Sequence, residues 1–196
     1  MKILVATNNI NKINEIKRIA EATIFNNELI FVSPNELDIK IKPEEIYNTF
    51  EENAKLKAIE FYKISKLPTI ADDSGLEIEV LDGAPGVKSA RFAEEDNDKA
   101  NREKVLALMK DQDNRNAQFR TVIAFYDGSD TVFFQGECKG RITFEEKGSN
   151  GFGYDPIFIP DGYDTTFAEM SSSEKNSISH RYKAVLSFCR SMDKHH

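Results

Sequence analysis

The segment from Leu67 to Leu76 constrains this chain more than any other. A largely apolar run, Leu67 to Ala71, stops at Asp72-Asp73-Ser74-Gly75, and apolar β-type residues resume at Leu76, Ile78 and Val80. The pattern predicts a strand, a tight turn and a second strand, with acid side chains at a strand end. Adjacent carboxylates repel one another, and burying them unpaired is expensive. A divalent cation offsets both costs. Mg²⁺ suits the task because it takes oxygen ligands, often one or two carboxylates together with substrate phosphates. A simpler alternative is that Asp72 and Asp73 only shape and cap a turn. The segment by itself does not choose between the two.

Length and composition narrow the field. The chain has 196 residues, 40% of them apolar and 10% aromatic, which suits one globular domain or two closely joined lobes. A net charge of −7 argues against a long nucleic acid as partner, because that needs clustered Lys and Arg. It does not exclude a nucleotide, whose phosphates need only a few local donors and a metal. Cys138 and Cys189 are the only cysteines, too few for a disulfide framework or a zinc site. No apolar run reaches membrane-spanning length. The run Ile3–Ala6 is also too short for a signal-peptide core, so the expectation is a cytoplasmic protein. His195 and His196 at the end read equally as a native tail or a cloning remnant.

Periodicity along the chain predicts a buried strand over 2–6 and a helix over 11–22, with Ile13, Ile16, Ile19 and Ala20 on one face. A short strand follows at 29–32, then a polar loop over 34–48. Thr49 and Glu52 match a capping box, and Phe50, Ala54, Ala58 and Phe61 share the face of the helix it opens. Residues 97–110 read as a helix with Val105, Leu108 and Met109 inward. Phe119–Tyr126 and Thr131–Cys138 flank a turn at 127–130 and read as a hairpin, and Arg141–Phe144 as one more strand. A last helix over about 179–192 is expected to bury Tyr182, Val185, Leu186 and Cys189. Helices alternating with strands, then a late hairpin, indicate an α/β domain built on a mixed sheet.

Four segments carry chemistry. Thr7-Asn8-Asn9-Ile10-Asn11-Lys12 joins the first strand to the first helix. A helix N-terminus presents unpaired amides to an anion, and Lys12 adds a full charge; an ordinary loop with an Asn cap accounts for the same residues. The second segment is the Asp72-Asp73 pair with Ser74, and Glu44 and Glu45 in the preceding loop are candidates to complete a metal site. The third is Gly151-Phe152-Gly153-Tyr154-Asp155-Pro156, a tight loop whose aromatic is either a core anchor or a stacking platform for a base. The fourth runs from Lys175 to Ser179-His180-Arg181, which puts two cations in the first turn of the last helix, against its dipole. Imidazole and guanidinium are donors, suited to a purine that presents O6 and N7 as acceptors, and they clash with the N6 donor of adenine.

In this order the segments resemble the inosine triphosphate pyrophosphatase family over nearly the whole chain. The family's Thr/Ser-x-Asn-x-x-Lys appears at Thr7–Lys12, and its Thr-Phe-x-Glu-Asn-Ala at Thr49–Ala54 with Lys57 following. Ala-Asp-Asp-Ser-Gly-Leu appears at Ala71–Leu76, then Gly83–Gly86 and Ser89–Arg91, Gly-Phe-Gly-Tyr-Asp-Pro at Gly151–Pro156, and Ser-His-Arg at Ser179–Arg181. The departures are Asn8, where some members carry Gly, Tyr47-Asn48 in place of a Gly-containing turn, and Asn150 before Gly151. The resemblance implies a single domain over 1–196 with an elongated mixed β-sheet flanked by helices and two lobes around a central cleft. It implies a homodimer that hydrolyses ITP, dITP and XTP, with Mg²⁺, to monophosphate and pyrophosphate, cleansing the nucleotide pool. Under it Asp73 is general base and metal ligand, and Glu45 a second metal ligand. Thr7, Asn8, Asn9, Ile10, Asn11, Lys12, Ser74 and Lys57 hold phosphate and sugar. Phe152 stacks on the base within the loop Gly153 and Tyr154 continue, and Asp155, Lys175, His180 and Arg181 read its edge. A rival of another class is a nucleotide sensor without catalysis; the Asp72-Asp73 pair speaks against it, since a binder could use Lys12 and a helix terminus alone.

Overall fold

The computed structural model describes residues 1–23 and 29–193; His195 and His196 lie outside the described residues. Strand β1 (Lys2–Val5) leads into helix α1 (Ile10–Thr23), then strand β2 (Ile30–Val32), helix α2 (Phe50–Ser65) and strand β3 (Thr69–Ile78). Helix α3 (Asp98–Leu108), strands β4 (Asn116–Tyr126), β5 (Thr131–Ile142) and β6 (Phe158–Pro160), and helices α4 (Ser172–Ile178) and α5 (His180–Asp193) complete it. Among the described residues the strands form one sheet in the order β2-β1-β3-β4-β5-β6. β1 pairs in parallel with β2 and β3, while β5 and β6 run antiparallel, so the sheet is mixed as expected. No helix among the described residues is long and apolar enough to cross a membrane.

Local chemistry explains the helix starts. Asn9 caps α1, its Oδ1 accepting from the amides of Asn11 (3.0 Å) and Lys12 (3.3 Å). Thr49 caps α2: its side chain accepts from the Glu52 amide and donates to the Glu52 carboxylate at 2.7 Å. Asn97 caps α3. Helix α4, to which the sequence analysis assigns no element, opens on a full capping box between Ser171 and Glu174.

The chain forms two compact units. The first takes Met1–Asp73, Thr121–Gly136 and the segment that starts at Arg181; the second takes Ser74–Arg120 and Glu137–His180. The first unit's core packs Ile3, Val5, Ile13, Ile16 and Ile19 with Ile70, Ile123, Val185 and Phe188. The second unit's core packs Leu76, Ile78, Val105 and Met109 with Phe119, Ile157, Phe158 and Phe167. The chain crosses from one unit to the other four times, between Asp73 and Ser74, Arg120 and Thr121, Gly136 and Glu137, and His180 and Arg181.

Four expectations change. The stretch at 72–75 is not a turn: β3 runs unbroken from Thr69 to Ile78, because cations elsewhere in the chain compensate its two carboxylates. Gly75 is needed there for closeness rather than turning, since a Cβ would lie 2.2 Å from the Gly86 carbonyl oxygen. The separate strand over Arg141–Phe144 is the end of β5, which stops at Ile142. Leu108 is 44% exposed; Val105 and Met109 hold the inward face of α3. In α5, Ala184, Val185, Phe188 and Cys189 are buried, whereas Tyr182 and Leu186 are half-buried.

Candidate active site

In the first unit Asp72 and Asp73 are both buried, at 2% and 3% exposure. Strand side chains alternate, so adjacent aspartates point to opposite faces of β3 and meet different partners. Asp72 Oδ2 lies 3.2 Å from Lys12 Nζ of α1 and 3.2 Å from Arg181 Nη2 of α5. Arg181 also binds Glu15 of α1 through Nη1. Asp73 Oδ1 lies 3.2 Å from Lys57 Nζ of α2, and the same ammonium is 2.7 Å from Glu45 Oε1. Asn53, one helical turn before Lys57, holds the loop of Glu45 by accepting from the Tyr47 amide (3.0 Å) and donating to its carbonyl (3.1 Å).

The two aspartates therefore differ in acidity. Burial raises the Asp72 carboxyl, but Lys12, Arg181 and Lys57 outweigh it and hold the group well below the usual carboxylate range. Burial also raises Asp73, Lys57 only partly opposes it, and Glu45 reinforces it, so the carboxyl is pushed up to about 6. Lys57 is raised: burial disfavours its charge, but Asp73, Glu45 and Asp72 more than restore it. Arg181 is likewise raised by Glu15 and Asp72 against its burial.

Four carboxylates of this group, Glu15, Glu45, Asp72 and Asp73, face three cations, Lys12, Lys57 and Arg181. Asp73 Oδ2 is buried and has no hydrogen-bond partner among the described residues. Two adjacent buried carboxylates and an unsatisfied oxygen on Asp73 fit a hard divalent cation. Among the described residues no three His, Cys, Asp or Glu side chains gather as a metal cage, so such an ion would take its other oxygens from substrate and water, as Mg²⁺ commonly does.

The residues before Lys12 arrange themselves around the helix start. Thr7 Oγ1 accepts from the Asn9 amide at 3.1 Å, and Asn8 Nδ2 donates to the Ile41 carbonyl at 2.7 Å. Asn11 is exposed, and the Ile10 side chain is 58% exposed.

In the second unit the aromatic loop is built around Asp155. Its Oδ2 accepts from the Phe152 amide at 2.9 Å and from Lys175 Nζ at 2.6 Å. A Cβ on Gly151 would fall 2.0 Å from that oxygen, so the loop requires glycine there. Lys175 Nζ also sits 4.8 Å from the centre of the half-buried Phe152 ring. Tyr154 is a core residue, its hydroxyl donating to the Ser89 carbonyl at 2.6 Å. His180 is buried and stacked on Phe119, with centroids 4.6 Å apart and planes 11° apart. Ser74 is half-buried at the start of this unit.

The structure thus gathers Lys12, Lys57, Asp72, Asp73, Glu45 and Arg181 in the first unit, and Phe152, Asp155, Lys175 and His180 in the second. The expected group of edge-readers is divided: Arg181 is engaged by Asp72 and Glu15, and Asp155 by Lys175 and Phe152. Glu15 escaped the sequence reading although it stands one helical turn from Lys12 on the same face of α1.

Comparison with known proteins follows the same residues. The sequence model of the Ham1 family matches residues 3–191. A dITP/XTP pyrophosphatase of Aquifex aeolicus is 45% identical over 195 residues, covering 94% of this chain and 93% of that protein. One of Clostridium tetani is 48% identical over 188 residues, covering 93% and 92%. Among solved structures, the Ham1 protein of Staphylococcus aureus superposes with a TM-score of 0.87 at 38% identity, covering all of both chains. A HAM1 protein of Coxiella burnetii does so at 0.88 and 36% identity, covering 99% of each. With its ordered motifs, its mixed sheet and these full-length matches, the chain belongs to the Ham1 family.

Proposed function

We propose that this chain hydrolyses deaminated purine nucleoside triphosphates, dITP, ITP and XTP, to the monophosphate and pyrophosphate. Full-length relatives named dITP/XTP pyrophosphatase support the reaction class. The observation that carries it in this molecule is Asp73, a buried carboxylate with an unsatisfied oxygen and a raised pKa beside Lys57 and Glu45.

The reaction adds water to the α-phosphorus and breaks its bond to the oxygen bridging α and β, releasing pyrophosphate. Asp73, ionised above a pKa near 6, accepts the proton of the attacking water. Lys57 and Lys12 stabilise the charge that develops on phosphate oxygens. Thr7, the segment Asn8–Asn11 and Ser74 supply polar contacts to phosphate and sugar. Mg²⁺, held by Glu45 and Asp73, would supply charge neutralisation of the phosphates and alignment of the leaving group. Phe152 stacks on the base; Lys175, kept in place by Asp155, and His180, kept in plane by Phe119, donate to O6 and N7. Arg181 is assigned with Lys12 to the neutralisation of Asp72. A cytoplasmic homodimer, without membrane or nucleic-acid polymer as partner, belongs to the same reading.

The test is pyrophosphate release from dITP, ITP, XTP, GTP and ATP, with and without Mg²⁺. Release that depends on Mg²⁺ and is at least tenfold faster in kcat/KM for the first three is expected. Equal rates on ATP, or phosphate in place of pyrophosphate as product, would overturn the reading.

A further inference from the structure

Helix α3 carries two charged side chains that the proposed chemistry does not use. Asp98, at its first turn, accepts from the Gly153 amide at 2.8 Å. Arg102, one turn later on the same face, donates from Nη1 to the Gly153 carbonyl at 2.9 Å. Both main-chain groups of one residue are thus gripped by one helix. The Arg102 Nε donates as well to Glu146 at 2.9 Å, tying a second point of the same long connection. Gly153 has φ of +60°, a conformation that few other residues would hold.

The grip acts on the neighbour. Phe152 is bonded on one side through its amide to Asp155, and on the other its peptide carries Gly153. With Gly153 fixed to α3 and Asp155 fixed to Lys175, the backbone of Phe152 is held from both ends. A backbone fixed in advance spares part of the entropic cost of ordering the ring when a ligand binds.

We propose that Asp98 and Arg102 are positioning residues for the base platform: they clamp Gly153 and so pre-order the Phe152 ring that stacks on the purine. This inference rests on the base-stacking reading of Phe152 above. A stacking platform is indifferent to the edge of the base, so loosening it weakens every purine alike. Because the chemistry at the phosphates is untouched, the loss is in binding shared by ground state and transition state, which raises KM and leaves kcat.

The experiment compares Asp98→Ala, Arg102→Ala, Asp98→Asn and Glu146→Ala with the wild type. KM and kcat are measured on dITP and ATP with Mg²⁺, and amide exchange at Gly153 is followed by NMR. Both alanine variants at 98 and 102 should raise KM about tenfold, within the roughly five- to hundredfold range that base stacking is worth, with kcat within about twofold. The dITP-to-ATP ratio of kcat/KM should hold, and Gly153 exchange should accelerate in Asp98→Ala. Asp98→Asn keeps an acceptor oxygen and should stay near wild type. Glu146→Ala leaves both bonds to Gly153 and should also stay near wild type. Unmoved KM in the two alanine variants despite faster exchange at Gly153 would overturn the clamp. So would a KM rise in Glu146→Ala equal to that in Arg102→Ala, which would mark general loosening of the loop. If one alanine variant does not fold, the other, read against Glu146→Ala, still decides, because each removes one of the two Gly153 bonds and only their loss should move KM. A wild type that releases no pyrophosphate from dITP would overturn the proposed function itself, a result distinct from an active wild type with indifferent variants.

Discussion

Replacing Asp73 by Asn should stabilise the metal-free protein while removing its turnover, and replacing its neighbour Asp72 should do the opposite to stability. The folded structure pushes the Asp73 carboxyl from its ordinary 3.8 up to about 6, first by burial and then by Glu45, against the pull of Lys57. At pH 7 folding therefore works against an ionised group that the unfolded chain carries freely. A rise of that size, at about 1.4 kcal/mol per unit, sets a ceiling of about 3 kcal/mol. Asn also deprives Lys57 of one of its two carboxylate partners, which returns part of the gain. The expected net is about 1–2 kcal/mol, or roughly 2–8 °C in Tm for a chain of this size. The sign follows from the raised pKa. The penalty of wild-type Asp73 is full above about pH 6, shrinks as the pH falls, and is gone below 3.8, where both states are protonated. The advantage of Asp73→Asn should fade over that window. Asp72 has a lowered pKa despite burial, through Lys12, Arg181 and Lys57. Its stabilising contribution is present above 3.8 and is lost only as the pH falls through its lower folded value. Asp72→Asn should cost about 3–5 kcal/mol at neutral pH, the usual result of breaking a buried ion pair. The assay is urea unfolding followed by circular dichroism, in EDTA, at pH 7, 5 and 4. Adding MgCl2 should then stabilise the wild type by mass action and leave Asp73→Asn unmoved, while pyrophosphate release by the variant falls roughly a hundredfold or more. Equal destabilisation by the two substitutions at pH 7 would refute the reasoning, because Asp73 would then be a stabilising partner of Lys57 rather than a strained carboxylate.

Three further outcomes can be checked. Phe152→Ala should raise KM for every purine triphosphate at least fivefold or so and preserve their ranking; loss of the folded state on denaturant titration would make Phe152 a core residue instead. His180→Ala should lower kcat/KM on ITP more than on ATP and shrink their ratio about fivefold or more, since it removes a donor suited to O6; an unchanged ratio would remove His180 from base reading. Arg181→Ala should cost about 3–5 kcal/mol in urea unfolding, because Asp72 and Glu15 lose the cation they share, and an unmoved midpoint would contradict the ion-pair role assigned to it.

What the sequence alone determined were features whose physics is short-ranged. The cap Thr49 and the apolar face Ile13-Ile16-Ile19-Ala20 act within a few residues of themselves, so this helix start and this inward face could be read before any contact was known. The Ser171–Glu174 box is equally local. The ordered motifs from Thr7 to Arg181 carried the family, because each records a local demand for a donor, a carboxylate or a glycine. Only the tertiary structure decided how the charges pair. Asp72-Asp73 looks like a turn when neighbours in the sequence are all one sees; it continues as a buried strand because Lys12, Lys57 and Arg181 arrive from three helices to compensate it. The same distant partners give two adjacent aspartates opposite acidities, join Arg181 to Glu15, and set Asp98 and Arg102 against Gly153. Coulomb and hydrogen-bond energies depend on separation in space, and separation in space is what a one-dimensional pattern does not contain.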